Sequence, residues 1–130
     1  MVTTDSLRHV FVYGTLRRGE ANDINRLQPT PRFVGAARIQ GEMFHLGRYP
    51  GVMLGGPGGV VGEVYAITPA LEQQLDVIEE VYPQQTDEYV KREVPVPVDG
   101  KVLMCLVYEI NPHYTKGRPR IATGDWVRRH

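Results

Sequence analysis

The sequence predicts an α+β fold whose residues lie mostly in a curled, barrel-like sheet. Three observations carry this. Short apolar or alternating segments recur, most of them separated by turn residues. Only the stretch after Thr68-Pro69 has a firm helical period. The 14 Gly and 10 Pro in 130 residues, read with that alternation, signal turns and sharp bends rather than disorder. Strands joined by hairpins, with few helices, fit α+β better than a doubly wound sheet.

Residues 9–13 read as the first strand, cut off by Gly14-Thr15. Residues 20–28 read as a short helix with Ile24 and Leu27 on one face, ended by Pro29 and Pro31. Residues 33–39 and 42–46 read as strands around Gln40-Gly41. Tyr49-Pro50-Gly51 marks a turn. Gly55-Gly56-Pro57-Gly58-Gly59 reads as a flexible loop rather than a lid, and 60–67 as another strand.

Thr68 can cap the first free amides of a helix, and Pro69 suits its first position. Leu71, Leu75 and Ile78 fall at i, i+4 and i+7, one helical face, and Pro83 stops the helix. Tyr89–Val98 alternates, with Val90, Arg92, Val94, Val96 and Val98 on one face. Pro95 and Pro97 fall on the other, which marks an edge strand. Asp99-Gly100 is a two-residue hairpin turn. Residues 102–108 are apolar on both faces, so they belong centrally in the sheet, and Asn111-Pro112 ends them. Residues 113–130 show no period. The count is six or seven strands.

The chain is expected to form one domain, residues 1–130. Lys+Arg 15 balances Asp+Glu 15, leaving no field to recruit nucleic acid. A single cysteine, Cys105, excludes an internal disulfide and a cysteine-built zinc site, and reads as a core thiol. No apolar run approaches the ~20 residues of a membrane helix, and Met1–Arg8 lacks a signal-like apolar segment. A soluble cytoplasmic protein, with no membrane partner, is the expectation.

Two places suggest chemistry. At about 100° per residue, Glu79 lies about 75° from the centre of the apolar helical stripe and Glu80 about 175°. Both sit in the last turn, where the helix dipole opposes negative charge by about 0.3–1 kcal/mol. That placement raises a carboxylate pKa towards the range of a general base. Taken alone, both glutamates read first as surface charges. The second place is the turn after the first strand. Gly14 lacks the Cβ that would hold a ligand off the backbone, and the amides of Gly14, Thr15 and Leu16 can face an anion or a carbonyl oxygen. A plain strand-to-loop corner stays open as the alternative.

Arg17 and Arg18 follow that turn, but no Gly-x-x-x-x-Gly-Lys-Ser/Thr surrounds them, so they read as solvated. His45, His113, Asp87 and Glu88 have no metal-ligand spacing. Tyr89 either lines a pocket beside Glu79 or packs across strands. Trp126 is expected to pack the tail against the sheet.

Six segments occur in one order: Tyr13-Gly14-Thr15-Leu16, Tyr49-Pro50-Gly51, Gly62-Glu63-Val64-Tyr65, Leu75-Asp76-Val77-Ile78-Glu79, Tyr89, and Thr123-Gly124-Asp125-Trp126. Together they resemble the gamma-glutamylcyclotransferase-like family, from about Val10 to Trp126. The resemblance implies a mixed sheet curled into a small barrel, with one main helix and short flanking helices. It implies a small-molecule gamma-glutamyl substrate bound through Tyr13, Gly14, Thr15 and Leu16, with Glu79 as general base. Tyr114 is the nearest match to a ligand-contacting tyrosine in a late loop. The implied reaction closes the substrate onto its own α-amine, giving 5-oxoproline and a free amine, without metal or cofactor. Two other readings stand beside it. One is a binding module without useful catalysis. The other is a hydrolase pairing Glu79 with Asp76, Glu63 or Glu80, their carboxyl groups about 5–9.5 Å apart. The released amine stays open, and a monomer or weak homodimer would fit.

Overall fold

The computed structural model describes residues 8–78 and 88–128. Among them run five strands and one α-helix: β1 (Arg8–Val12), β2 (Arg32–His45), β3 (Pro50–Ile67), α1 (Pro69–Ile78), β4 (Tyr89–Val98) and β5 (Lys101–Ile110). Single 3₁₀ turns occupy Ile24–Arg26, Pro112–Thr115 and Trp126–Arg128. The sheet order is β2-β3-β1-β5-β4. It is mixed, because β1 runs antiparallel to β3 and parallel to β5. The fold is therefore α+β, as the hairpin-rich sequence indicated.

Strand alternation splits the apolar residues between two layers. Phe11, Val64, Cys105 and Val107 join Ile39 and Met43 of β2 and Val96 and Val98 of β4 inside the curl. Val10, Val12, Leu106 and Tyr108 point the other way, under Leu71 and Leu75 of α1. The edge strands approach so closely that a Cβ on Gly35 would come within 2.8 Å of Val98. They form no ladder among the described residues, so the sheet is curled without closing.

Helix α1 starts as its sequence dictates. The Leu71 N–H donates to Thr68 Oγ1 at 3.2 Å and the Glu72 N–H to the Thr68 carbonyl at 2.9 Å. Leu71 and Leu75 are fully buried, each stabilising by about 1.5–3 kcal/mol. Ile78, the third stripe residue, is 36% exposed. It lines an open cleft instead of the sheet.

Several expectations need correction. Residues 33–39 and 42–46 are parts of one strand, β2, which continues through Gly41. Pro50 and Gly51 begin β3 rather than forming a turn. The stretch 55–59 lies within the span of β3, not in a separate loop. The ladder explains its glycine content: Gln40 faces Gly59 while Gly41 faces Leu54, so residues 55–58 bulge opposite a single step of β2. These mergers bring six or seven expected strands down to five. The expected helix at 20–28 is only the single turn Ile24–Arg26, capped by Asp23. The flanking helices are likewise single turns. Val90 and Arg92 are exposed, so on that face of β4 only Val96 and Val98 are buried, with Val94 partly buried beside them. As expected, β4 is an edge strand and β5 is internal. Asp99 and Gly100 close their hairpin, both with positive φ. The expected helix stop at Pro83 lies outside the described residues.

Candidate functional site

The site is built where β1 ends. Tyr13 is buried, and its hydroxyl donates to the Tyr108 carbonyl at 2.6 Å. The chain then turns: the Arg17 N–H donates to the Gly14 carbonyl at 3.0 Å. The Thr15 and Leu16 carbonyls accept from the Asn22 and Ile24 amides, both at 2.9 Å. All three turn carbonyls are thus engaged. The amides of Gly14, Thr15 and Leu16 have no acceptor among the described residues.

Gly14 is glycine for a different reason from the one expected. The position of its missing Cβ lies 2.6 Å from Pro50 Cγ and 2.8 Å from Pro50 Cδ. The proline ring takes the space that the sequence reading reserved for a ligand. The Pro50 carbonyl in turn accepts the buried Tyr89 hydroxyl at 2.8 Å.

A narrow niche of about 20 Å³ opens on this turn. Tyr13, Gly14, Thr15 and Leu16 form one side. Phe11, Val12, Tyr49, Pro50, Tyr89 and Tyr108 complete the lining. That is room for about one water molecule. Beside it lies a wider cleft of about 320 Å³, lined by Thr15, Ala21, Asn22, Arg48, Tyr49, Ile78, Glu88 and Tyr89. Thr15, Tyr49 and Tyr89 border both spaces, so niche and cleft adjoin. Tyr89 lines both niche and cleft and also belongs to the packed layer under α1.

The turn is fastened by charge. Arg17 Nε lies 3.2 Å from Glu63 and its guanidinium 2.6 Å from Asp125. Glu63 also accepts the Arg18 N–H at 3.0 Å and the Tyr65 hydroxyl at 2.9 Å. Burial, helped by the Glu63 charge, pushes the Tyr65 phenol up to about 12. The Arg17 side chain is only 12% exposed, which corrects the expectation that it is solvated. Its partners come from Gly62-Glu63-Val64-Tyr65 and Thr123-Gly124-Asp125-Trp126. Three separated motifs are therefore one physical assembly around the turn. Gly124 (φ +66°) belongs to it: a Cβ there would strike the Gly59 carbonyl, and its own carbonyl accepts the Val61 N–H at 2.8 Å. Trp126 is buried, its ring 5.1 Å from that of His45.

Helix α1 is tied to the same pocket from the other flank. Asp76 accepts from the Tyr108 hydroxyl at 2.7 Å and from Lys91 Nζ at 2.9 Å. Lys91 also bridges to Glu72 at 2.7 Å. Burial alone would lower the Lys91 pKa, but its bonds and charge contacts with Glu72 and Asp76 win and hold it above the usual value. Cys105 is fully buried, and burial pushes its thiol up to about 11, which keeps it unreactive.

Glu79 and Glu80 lie outside the described residues, as does Asp87. The described chain leaves at Ile78 and returns at Glu88, and both residues line the wide cleft. Tyr114 packs against the layer under α1, in the Pro112–Thr115 turn, and is not among the residues lining niche or cleft. Asp76 and Glu63, weighed as partners in a two-carboxylate hydrolase, each hold a cation and a tyrosine hydroxyl, and neither lines the pocket. Among the described residues no helix is long and apolar enough to cross a membrane.

Sequence reading missed Tyr49, Tyr108, Asn22, Arg48 and Glu88 as pocket residues. Two of them had a usable signal: Tyr49 stands in the Tyr49-Pro50-Gly51 segment, and alternation in β5 sets Tyr108 opposite Cys105 and Val107, on the face that α1 covers.

Residues 10–128 match the family model described as gamma-glutamyl cyclotransferase, AIG2-like. The chain is 34% identical over 122 residues to a Vibrio cholerae protein named "Putative gamma-glutamylcyclotransferase", covering 92% of this chain and 96% of that relative. It is 31% identical over 119 residues to the like-named YkqA of Bacillus subtilis, covering 90% of this chain but 40% of YkqA. The crystal structure of YkqA superposes with a TM-score of 0.72 at 29% identity, over 92% of this chain and 39% of that one. The chain therefore spans about two fifths of YkqA's length. A mouse AIG2-like protein superposes with a TM-score of 0.71 at 26% identity, over 87% of this chain and 84% of the mouse chain.

Proposed function

Since the chain belongs to the gamma-glutamyl cyclotransferase, AIG2-like family, we propose that it cyclises gamma-glutamyl amides to 5-oxoproline with release of an amine. One observation supports this above the others. Gly14, Thr15 and Leu16, whose amides have no acceptor among the described residues, line a niche of one-water size, and the wider cleft beside it is bordered by Ile78, the residue that precedes Glu79 in sequence.

The chemistry follows from the substrate. Its α-amine nitrogen attacks its own γ-carbonyl carbon and forms the ring C–N bond. The former amide C–N bond breaks. Glu79 takes the proton from the attacking nitrogen and returns it to the departing one. Tethering gives such a nucleophile an effective concentration of about 10⁵–10⁸ M when it is well oriented. The protein's task is then to fold the substrate and to steady the oxygen that gains charge. A niche of one-water size suits that oxygen, and one preorganised donor of this kind is typically worth about 2.7–4 kcal/mol. The body of the substrate fits the 320 Å³ cleft, at the small end of ligand pockets. Tyr13, Thr15, Leu16 and Tyr89 are binding residues in this reading, Gly14 shapes the turn, and no cofactor enters the reaction. A small-molecule partner and a cytoplasmic setting belong to the same reading.

The test is release of 5-oxoproline from a panel of gamma-glutamyl amino acids, peptides and simple amines. Turnover of at least one, lost in Glu79→Gln, supports the proposal. Binding without turnover across the panel would leave a ligand-binding module instead.

A further inference from the structure

Tyr108 is bonded to both flanks of the niche that it lines. Its backbone carbonyl accepts the hydroxyl of Tyr13, the first residue of the turn, at 2.6 Å. Its own hydroxyl donates to Asp76 Oδ1 on α1 at 2.7 Å. It sits in the internal strand β5 and is 2% exposed, so neither end can shift without the sheet. Across the ladder it faces Lys91, whose Nζ lies 2.9 Å from Asp76 Oδ2 and 2.7 Å from Glu72. One register pair of the sheet thus grips the Asp76 carboxylate at both oxygens.

The contacts of Leu71 and Leu75 beside this grip are apolar and non-directional. They hold the helix down without fixing its roll about its own axis. Hydrogen bonds to a carboxylate are short and directional, so the Asp76 grip fixes that roll. A roll of about 10° moves an atom at the outer radius of a helix, about 5–6 Å, by about 1 Å. A misplacement of that size can cost about 10²-fold in rate. Glu79 follows Asp76 by three residues, and Ile78 between them borders the wide cleft. Resting on the cyclotransferase reading, we infer that Tyr108 and Asp76 are positioning residues for the reaction: the bond from the Tyr108 hydroxyl to Asp76 sets the roll of α1 against the turn, and so holds the general base in line with the niche.

Tyr108→Phe removes one oxygen and keeps both the ring and the carbonyl that Tyr13 uses. With the panel compound turned over fastest, its kcat should fall about tenfold while KM stays within about twofold, because ground-state contacts to the substrate are untouched. Asp76→Ala should do the same, and the double variant should be no slower than the slower single one, as for two residues that share one bond. Asp76→Asn keeps an oxygen able to accept the Tyr108 hydroxyl and should retain most of the rate. An unchanged kcat in Tyr108→Phe, a loss carried by KM, or losses that multiply in the double variant each overturn the assignment. Amide hydrogen exchange reads the grip without turnover: in Tyr108→Phe the amides of residues 75–78 should exchange faster than in the wild type, with those of β1 unchanged. A slower kcat with unchanged exchange also overturns the assignment, because the hydroxyl would then act on the substrate itself. Faster exchange in the variant, with no 5-oxoproline from the wild type, would instead sink the cyclotransferase reading and leave the grip on α1 standing.

Discussion

The turn at 13–17 and helix α1 flank one pocket, yet they are fixed by opposite means. The turn is held by residues remote in sequence: Glu63 and Asp125 on Arg17, and Pro50 against Gly14. Helix α1 is set up locally, by the Thr68 cap and by Leu71 and Leu75, and then tied down by Lys91 and Tyr108 from the two strands that follow it. One flank depends on tertiary contacts and the other is a secondary structure with a few polar moorings. Damage to the turn should therefore spread through the fold. Damage at the far end of the helix should stay with the chemistry.

The largest expected effect tests that contrast directly. Glu79→Gln should lower kcat by about 10²–10⁴-fold, the range for a lost general base. Its thermal midpoint should stay within a degree or two of the wild type, because an isosteric change that leaves the packing alone costs at most about 0.5 kcal/mol. A large drop in midpoint would make Glu79 a structural residue and break the comparison.

On the other flank, Gly14→Ala should lose activity and stability together. The new methyl would sit within 2.6 Å of the Pro50 ring, so the turn or the start of β3 must shift. Overpacking of this kind costs about 1–3 kcal/mol. Urea midpoints measured alongside turnover would check it. A Gly14→Ala protein of full stability but no activity would return Gly14 to the role of admitting a ligand.

The same contrast explains what could be read from the sequence. Helix α1, β4 and the Asp99-Gly100 hairpin were legible because each is written in a local period or a turn pair, and β5 because its run is apolar on both faces. The extent of β2 and β3 was not. Glycines at 41 and 55–59 look like breaks, yet Gly41 continues the β2 ladder and residues 55–58 bulge within the span of β3. In the site, the turn motif itself stood out, but its supports did not. Nothing near Arg17 announces Glu63 or Asp125, and nothing beside Tyr49-Pro50 says that the ring of Pro50 fills the space over Gly14. Tyr108 was hidden inside a strand apolar on both faces, where only the position of α1 gives one face a function.

A third test removes the long-range mooring without changing the turn's own backbone. Arg17→Met deletes both ion pairs and leaves Glu63 and Asp125, 14% and 16% exposed, without the cation they share. Breaking a deeply buried pair costs about 3–5 kcal/mol, and residual exposure here lowers the expectation to about 1–2 kcal/mol. Restoring stability by also replacing Glu63 and Asp125 with Gln and Asn would show that the loss came from stranded carboxylates. A single variant as stable as the wild type would mean that backbone hydrogen bonds alone hold the turn.

The smallest effect belongs to the helix flank and carries a pH signature. Lys91 has its pKa raised in the folded protein, because Glu72 and Asp76 outweigh its burial. A raised pKa means that the folded state holds this proton more tightly than the unfolded chain does. The stabilisation is thus complete below the ordinary lysine value of 10.5 and is lost as pH rises through the higher folded value. At about pH 8, Lys91→Met should be less stable than the wild type by roughly 0.5–1.5 kcal/mol, discounted for a side chain that is 25% exposed. As pH rises past the ordinary lysine value and through the higher folded one, the two urea midpoints should draw together. A gap that stays constant with pH would show that the methylene stem of Lys91, rather than its charge, moors the helix, and the two flanks would then be alike in resting on packing.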